Sequence, residues 1–173
     1  EMCIRDSTGT THYQFAHFAN VDQDYLTILE QVRDEWARID ATYDFTYYPH
    51  ISVGWDNSPR TGHSAVVKNN TPENFARGLR MAREYIDAHP DRAPLITVNS
   101  WNEWTETSYL MPCNVFGYGY LEAVKKVFID KQYASRTEED NGLWVTTRKN
   151  NASWTCVTCA WLASALKIRT AYG

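Results

Sequence analysis

Two glutamates three residues apart, Glu103 and Glu106, sit in a run of indole, carboxamide and hydroxyl side chains: Asn99-Ser100-Trp101-Asn102-Glu103-Trp104-Thr105-Glu106-Thr107-Ser108-Tyr109. In a helical turn, side chains at that spacing share a face. Two carboxylates in one partly apolar cleft tend to split their proton affinities, giving one acid and one base. Glycoside chemistry needs such a pair flanking the scissile bond. Taken by itself, the run reads more simply as a solvated turn with two unrelated glutamates. A second loop, Gly54-Trp55-Asp56-Asn57-Ser58-Pro59-Arg60, repeats the mixture of Trp with charged and carboxamide groups. Such a loop offers stacking surface, hydrogen bonds to hydroxyls and acid–base groups in one place. Asp56 and Arg60 are open to two readings there, contact with substrate or a salt bridge within the loop.

The elements around these loops must bring them together. Across residues 22–39, Tyr25, Ile28, Leu29, Val32, Trp36 and Ile39 recur at the helical period with charges on the other face, which predicts an amphipathic helix. Residues 45–53 are β-rich and mostly apolar, ending at Gly54. Thr71-Pro72 is a helix start, with a hydroxyl cap and Pro at the first helical position. Phe75, Leu79, Ala82, Tyr85 and Ile86 carry that helix to His89, where Pro90 stops it. Residues 93–98 form a short apolar run expected of a strand buried on both faces. A last helix is expected over 118–129, with Leu121, Val124, Val127 and Phe128 inward.

This alternation is the α/β pattern with a parallel sheet. Its closure is either an open doubly wound sheet or a (β/α)8 barrel, and both bind ligands at the carboxyl ends of their strands. No GxGxxG or Walker signature is present; Gly117-Tyr118-Gly119 follows no strand and lacks the third glycine. A complete barrel takes about 250 residues, against 173 here. The first seven residues, Glu1-Met2-Cys3-Ile4-Arg5-Asp6-Ser7, contain no apolar signal core and read as translated sequencing adapter. With the 5′ end cut, residues 8–133 are expected to be the C-terminal part of a (β/α)8 barrel, truncated at its N-terminus. The tail over 134–173 changes character; it reads as out of frame or as a variable extension.

Composition narrows the function classes. With 43% hydrophobic and 22% charged residues, the chain is neither disordered nor a coiled coil. A net charge of −4 speaks against broad nucleic-acid binding. No run of about 18 apolar residues occurs, so no transmembrane helix is expected. Seven Trp, eleven Tyr and six Phe are a high aromatic share, which suits a cleft for sugar rings as well as a core. Cys156 and Cys159 form one CxxC without a second, too little for a structural zinc site, and Cys3 and Cys113 are isolated.

Four motifs in order, Gly54-Trp55-Asp56-Asn57-Ser58-Pro59-Arg60, Thr71-Pro72-Glu73, Asn99-Ser100-Trp101-Asn102-Glu103-Trp104-Thr105-Glu106 and Gly117-Tyr118-Gly119-Tyr120-Leu121-Glu122-Ala123, resemble the WbsX-type glycosyltransferase family. That family is in turn similar to glycoside hydrolase family 99, the endo-α-mannosidase-like (β/α)8 barrels. The resemblance implies catalysis by Glu103 and Glu106. Glu103 would take the proton of a sugar 2-hydroxyl as it attacks the anomeric carbon, and Glu106 would protonate the leaving oxygen and then activate water. It further implies Trp55, Trp101, Trp104 and Tyr109 as a sugar platform, with Asp56, Asn57, Arg60 and Asn102 binding substrate. No metal or cofactor is implied, and the expected partner is an oligosaccharide or polysaccharide.

The family pattern continues E-G-x-x-L-E-P-D, whereas here it reads Glu106-Thr107-Ser108-Tyr109-Leu110-Met111-Pro112-Cys113. Thr107 takes the place of a permissive glycine, and Met111 and Cys113 that of two acids. The leading expectation is an enzyme that cleaves or transfers a glycosyl group in bacterial polysaccharide or lipopolysaccharide metabolism. It would be cytoplasmic if biosynthetic and periplasmic if a glycan hydrolase. Asp22-Gln23-Asp24 opens a helix away from the motif loops, so no DxD lies at a strand end for a sugar nucleotide. Hydrolase chemistry is therefore weighted above nucleotide-sugar transfer. The competing expectation is a non-catalytic or degenerate glycan-binding barrel. This stretch alone is not expected to close a barrel or turn over substrate.

Overall fold

The computed structural model describes residues 9–63 and 65–130. The segment 1–7, the tail 134–173 and the Cys156–Cys159 pair lie outside them. Helix α1 (Tyr25–Thr42) begins at Asp24, whose carboxylate accepts the Leu26 N–H at 2.9 Å, so the Asp22-Gln23-Asp24 stretch is a helix cap. Its buried face is Tyr25, Ile28, Leu29, Val32, Trp36 and Ile39, the periodic set. Strand β1 (His50–Ser52) is buried throughout. A loop with the one-turn helix α2 (Ser58–Thr61) leads to α3 (Pro72–Ala88), capped by the Thr71 hydroxyl and ended at His89.

Strand β2 (Thr97–Asn99) lies parallel to β1, with Ile51 opposite Val98. A short hairpin follows, β3 (Asn102–Glu103) against β4 (Ser108–Tyr109), with a 3-10 turn over Trp104–Glu106 between them. Helix α4 (Gly119–Phe128) packs on α3, where Phe75 meets Tyr120 edge-on at 5.6 Å. Upstream of α1, Thr10 forms a parallel bridge with Tyr47, its N–H and C=O bonding Thr46 and Tyr48 at 2.8 Å. Three chain segments thus run side by side in chain order, each followed by a helix or a helix-bearing loop.

The α/β order is the expected one, with differences at the strands. Both are shorter than their apolar runs. Tyr47 is buried but makes only the single bridge to Thr10, and the chain at 93–95 turns on itself, Leu95 N–H bonding Ala93 C=O at 2.8 Å. Hydrophobicity records burial, and Ile96 is buried just outside the ladder. Glu103 and Glu106 flank a 3-10 helical turn at the tip of the hairpin, Glu103 closing β3 and Glu106 closing the turn.

Candidate active site

A buried polar floor lies under the carboxyl ends of the parallel segments. Asn99, the last residue of β2, accepts on its side-chain oxygen from Gln14 Nε2 at 3.1 Å and lies 2.9 Å from Ser108 Oγ. Gln14 Nε2 also donates to the Gly54 carbonyl at 3.1 Å. Ser52 Oγ accepts the Phe15 N–H at 3.1 Å and contacts His50 Nε2 at 2.9 Å, while His50 Nδ1 meets Thr97 Oγ1 at 3.0 Å. Gln14, His50, Ser52, Asn99 and Ser108 are all buried, so these bonds replace water that the groups have lost. Burial, reinforced by the charges of His12 and His17, pushes the His50 imidazole down to about 3.

Gly54 belongs to this floor by size. A Cβ there would collide with Asn70 Nδ2 and come within 2.5 Å of the Thr107 carbonyl, so only glycine lets the two loops meet.

Above the floor the two motif loops join. Arg60, from α2, donates from one terminal nitrogen to Glu106 Oε1 at 2.7 Å and from the other to Glu103 Oε1 at 3.0 Å. The Asp56 N–H donates to the Glu106 carbonyl at 2.8 Å, tying the backbones as well. Asp56 accepts the Ser58 N–H at 2.9 Å, so the salt bridge within the loop does not form: Arg60 pairs with the glutamates. Thr105 Oγ1 donates to Glu103 Oε1 at 2.5 Å. Glu106 is 12% exposed in its side chain and Glu103 34%. Among the described residues, three buried side-chain polar atoms have no partner, and two are here: Glu106 Oε2 and Asn57 Oδ1. Such atoms are rare in folded proteins, and these two acceptors lie in the elements that meet at Arg60.

The aromatic residues divide. Trp104 is exposed and stacks on Tyr109 at 4.1 Å and 28°, forming a platform beside the pair. Burial, then the hydrogen bond to the Cys113 thiol, pushes the Tyr109 hydroxyl up. Trp55 and Trp101 instead pack against the hydrophobic core, and Asn102 is exposed opposite Tyr109 on the hairpin.

The family model described as Glycosyltransferase WbsX matches residues 3–124, which include every residue of this site. The chain belongs to the WbsX glycosyltransferase family. Two curated relatives from strains of Xanthomonas campestris pv. campestris, both called "Uncharacterized protein WxcX", are 32% identical over 85 residues. That stretch is 48% of this chain, and it spans only 12% of the length of those relatives. No solved structure matches the chain.

The departures from the WbsX-type pattern take on geometry here. Thr107 adopts φ 52° and ψ 32°, the left-handed conformation that the expected glycine would accept freely. Cys113 Sγ accepts the Phe116 N–H at 3.3 Å. Residue-by-residue reading missed Gln14, Ser52, Asn99 and Ser108 as site components. A polar residue at the end of an apolar strand, as Asn99 ends β2, was the available signal; Gln14 had none.

Proposed function

We propose that this chain carries the C-terminal part of a (β/α)8 barrel from an enzyme that cleaves or transfers a glycosyl group in bacterial polysaccharide or lipopolysaccharide metabolism. The parallel segments in chain order and a site at their carboxyl ends support the barrel. The observation that carries the chemistry is the meeting of Glu103 and Glu106 on Arg60, with Glu106 Oε2 buried and unpartnered.

In this reading Glu103 takes the proton from the 2-hydroxyl of the sugar whose anomeric carbon carries the scissile bond. That oxygen closes on the anomeric carbon as the bond to the leaving oxygen breaks, and Glu106 gives its proton to the leaving oxygen. A 1,2-anhydro sugar results. Glu106, now a carboxylate, takes a proton from an incoming hydroxyl, which opens the strained ring at the anomeric carbon. Glu103 returns its proton to the 2-oxygen. Water as the incoming group gives hydrolysis, and a sugar hydroxyl gives transfer. Trp104 and Tyr109 present aromatic surface to the pyranose, and Asp56, Asn57 and Asn102 lie within the same loops to bind hydroxyls.

The test is to recover the complete gene and assay its product on α-mannans and bacterial O-antigen glycans, with and without acceptor sugars, beside Glu103→Gln and Glu106→Gln. Each change should lower turnover by about 10²–10⁴-fold, the range for a lost general acid or base. Turnover that survives in both variants removes the glutamates from the chemistry. Glycan binding with no product from the wild type leaves the glycan-binding barrel in place of the enzyme.

A further inference from the structure

We propose that Arg60 is a positioning residue for the glutamate pair, an inference that rests on the glycosyl chemistry proposed for Glu103 and Glu106. Its guanidinium spans two carboxylates that lie 43 and 46 residues further along the chain, one terminal nitrogen to each. A planar, permanently charged fork is suited to hold two carboxylates at one fixed separation, which an ammonium cannot do. By taking Glu106 Oε1, Arg60 fixes the plane of that carboxylate and leaves only the buried Oε2 without a partner.

The element that carries Arg60 is built to hold it still. Helix α2 is one turn, with Pro59 at its start and Gly62 at φ 75° ending it. The Arg60 and Thr61 N–H groups both donate to the Asn57 carbonyl, at 3.0 and 3.2 Å. The Asp56 side chain holds the first turn through Ser58 N–H, while its own N–H bonds the Glu106 carbonyl. Arg60 is therefore referenced to the backbone of the residue it orients.

The Arg60 side chain is 47% exposed, and half-exposed ion pairs add little to stability because water and salt screen them. Its effect is therefore expected in the geometry of the pair, with the fold left intact. With the guanidinium present, the two carboxyl groups are each held by one arm of the same fork and keep one separation. Without it, each side chain is free to turn and the separation is lost.

The experiment compares wild type, Arg60→Ala, Arg60→Lys, Glu103→Gln and Glu106→Gln in the full-length protein, following turnover, KM and thermal midpoint. Arg60→Ala is expected to lower kcat by about 10–100-fold, the scale of a small misplacement of reacting groups. KM should stay within about threefold and the thermal midpoint within a few degrees. Added guanidinium ion should restore part of the Arg60→Ala rate, and added ammonium should not. Arg60→Lys keeps the charge and loses the fork, so it should also be slow; it carries the same test should Arg60→Ala fail to fold. A raised KM with unchanged kcat would overturn the proposal by making Arg60 a substrate contact. Unchanged kinetics in both Arg60 variants, with both glutamate variants dead, would overturn it while leaving the proposed function standing. Active glutamate variants, or an inactive wild type, would remove that function and this role together.

Discussion

In α3, seven of seventeen residues are buried and every one is apolar or glycine, whereas the buried residues under the site are Gln14, His50, Ser52, Asn99 and Ser108. The helical layer is a packing solution. Its contacts follow a local period, and any apolar side chain of the right volume would serve at most positions. The carboxyl ends of β1 and β2 are a hydrogen-bonding solution, joined by bonds between residues 40 and 85 positions apart. One region tolerates variation and supplies stability; the other spends polar groups, a left-handed threonine and unpartnered oxygens on the geometry of a site. This difference makes the two regions separable by experiment.

The largest expected effect falls on the helical layer. Phe75 is wholly buried between α3 and Tyr120 of α4. Phe75→Ala removes a ring from a packed interface and should cost about 3–5 kcal/mol, read as the shift in urea midpoint at constant slope. Under conditions where the variant remains folded, glycan binding should be unchanged. A variant that keeps its stability and loses binding would place the packing layer in the site and break the comparison.

The helices α1, α3 and α4 were legible in the sequence because their cause is local. The 3.6-residue period gave the faces, and Asp24, Thr71-Pro72 and Pro90 punctuated the ends. The strands were legible only as apolar runs, since their lengths depend on which neighbouring backbone is within reach. At the site, the spacing of Glu103 and Glu106 by itself reads more simply as a solvated turn, and the WbsX-type motifs around them are what single them out; the proximity of the two motif loops followed from the α/β order. What stayed hidden were the partners. From the sequence, Arg60 is open to substrate contact or a loop salt bridge with Asp56, and only the fold of α2 onto the 3-10 turn brings it to the glutamates. Gln14 and Ser108 carry no local signature, because each earns its place through a residue far away in the chain.

The polar floor should lose stability in acid where the helical layer does not. His50 is buried and neutral, its imidazole pushed down to about 3 by burial first and by His12 and His17 next. The unfolded chain binds a proton at an ordinary histidine value near 6.5, so between that value and 3 the unfolded state holds more protons. Stability is complete above 6.5 and falls as the pH drops below it. Between pH 7.5 and 5 the loss should be about 2 kcal/mol, from 1.36 kcal/mol per unit. In α3, burial raises Glu84 and Asp87, a shift whose sign favours the fold as the pH falls. Denaturant midpoints measured over that range should therefore slope downward with acid in the wild type, and His50→Gln should remove most of the slope. His12, also lowered by burial, accounts for what remains. A slope unchanged in His50→Gln would mean that His50 is not the neutral member of the floor.

The smallest effect is also the sharpest, because one type of substitution should have opposite signs in the two regions. Thr107 holds φ at 52° as the 3-10 turn over Trp104–Glu106 ends, and its N–H still bonds the Trp104 carbonyl at 3.2 Å. The left-handed conformation costs an L-residue about 1–2 kcal/mol, more readily borne by Asn or Asp than by a β-branched side chain. Glycine would remove that cost and lose part of the gain to its greater freedom in the unfolded chain, about 0.5–1 kcal/mol. Thr107→Gly should therefore stabilise the protein by about 0.5–1 kcal/mol. On the exposed face of α3, Arg77→Gly meets no such strain and should destabilise by about 1 kcal/mol. Thermal or urea midpoints of the two variants should move in opposite directions from the wild type. A Thr107→Gly midpoint that falls would show that the threonine side chain contributes more to the turn than its backbone costs, and the site loop would then be held by packing, as the helices are.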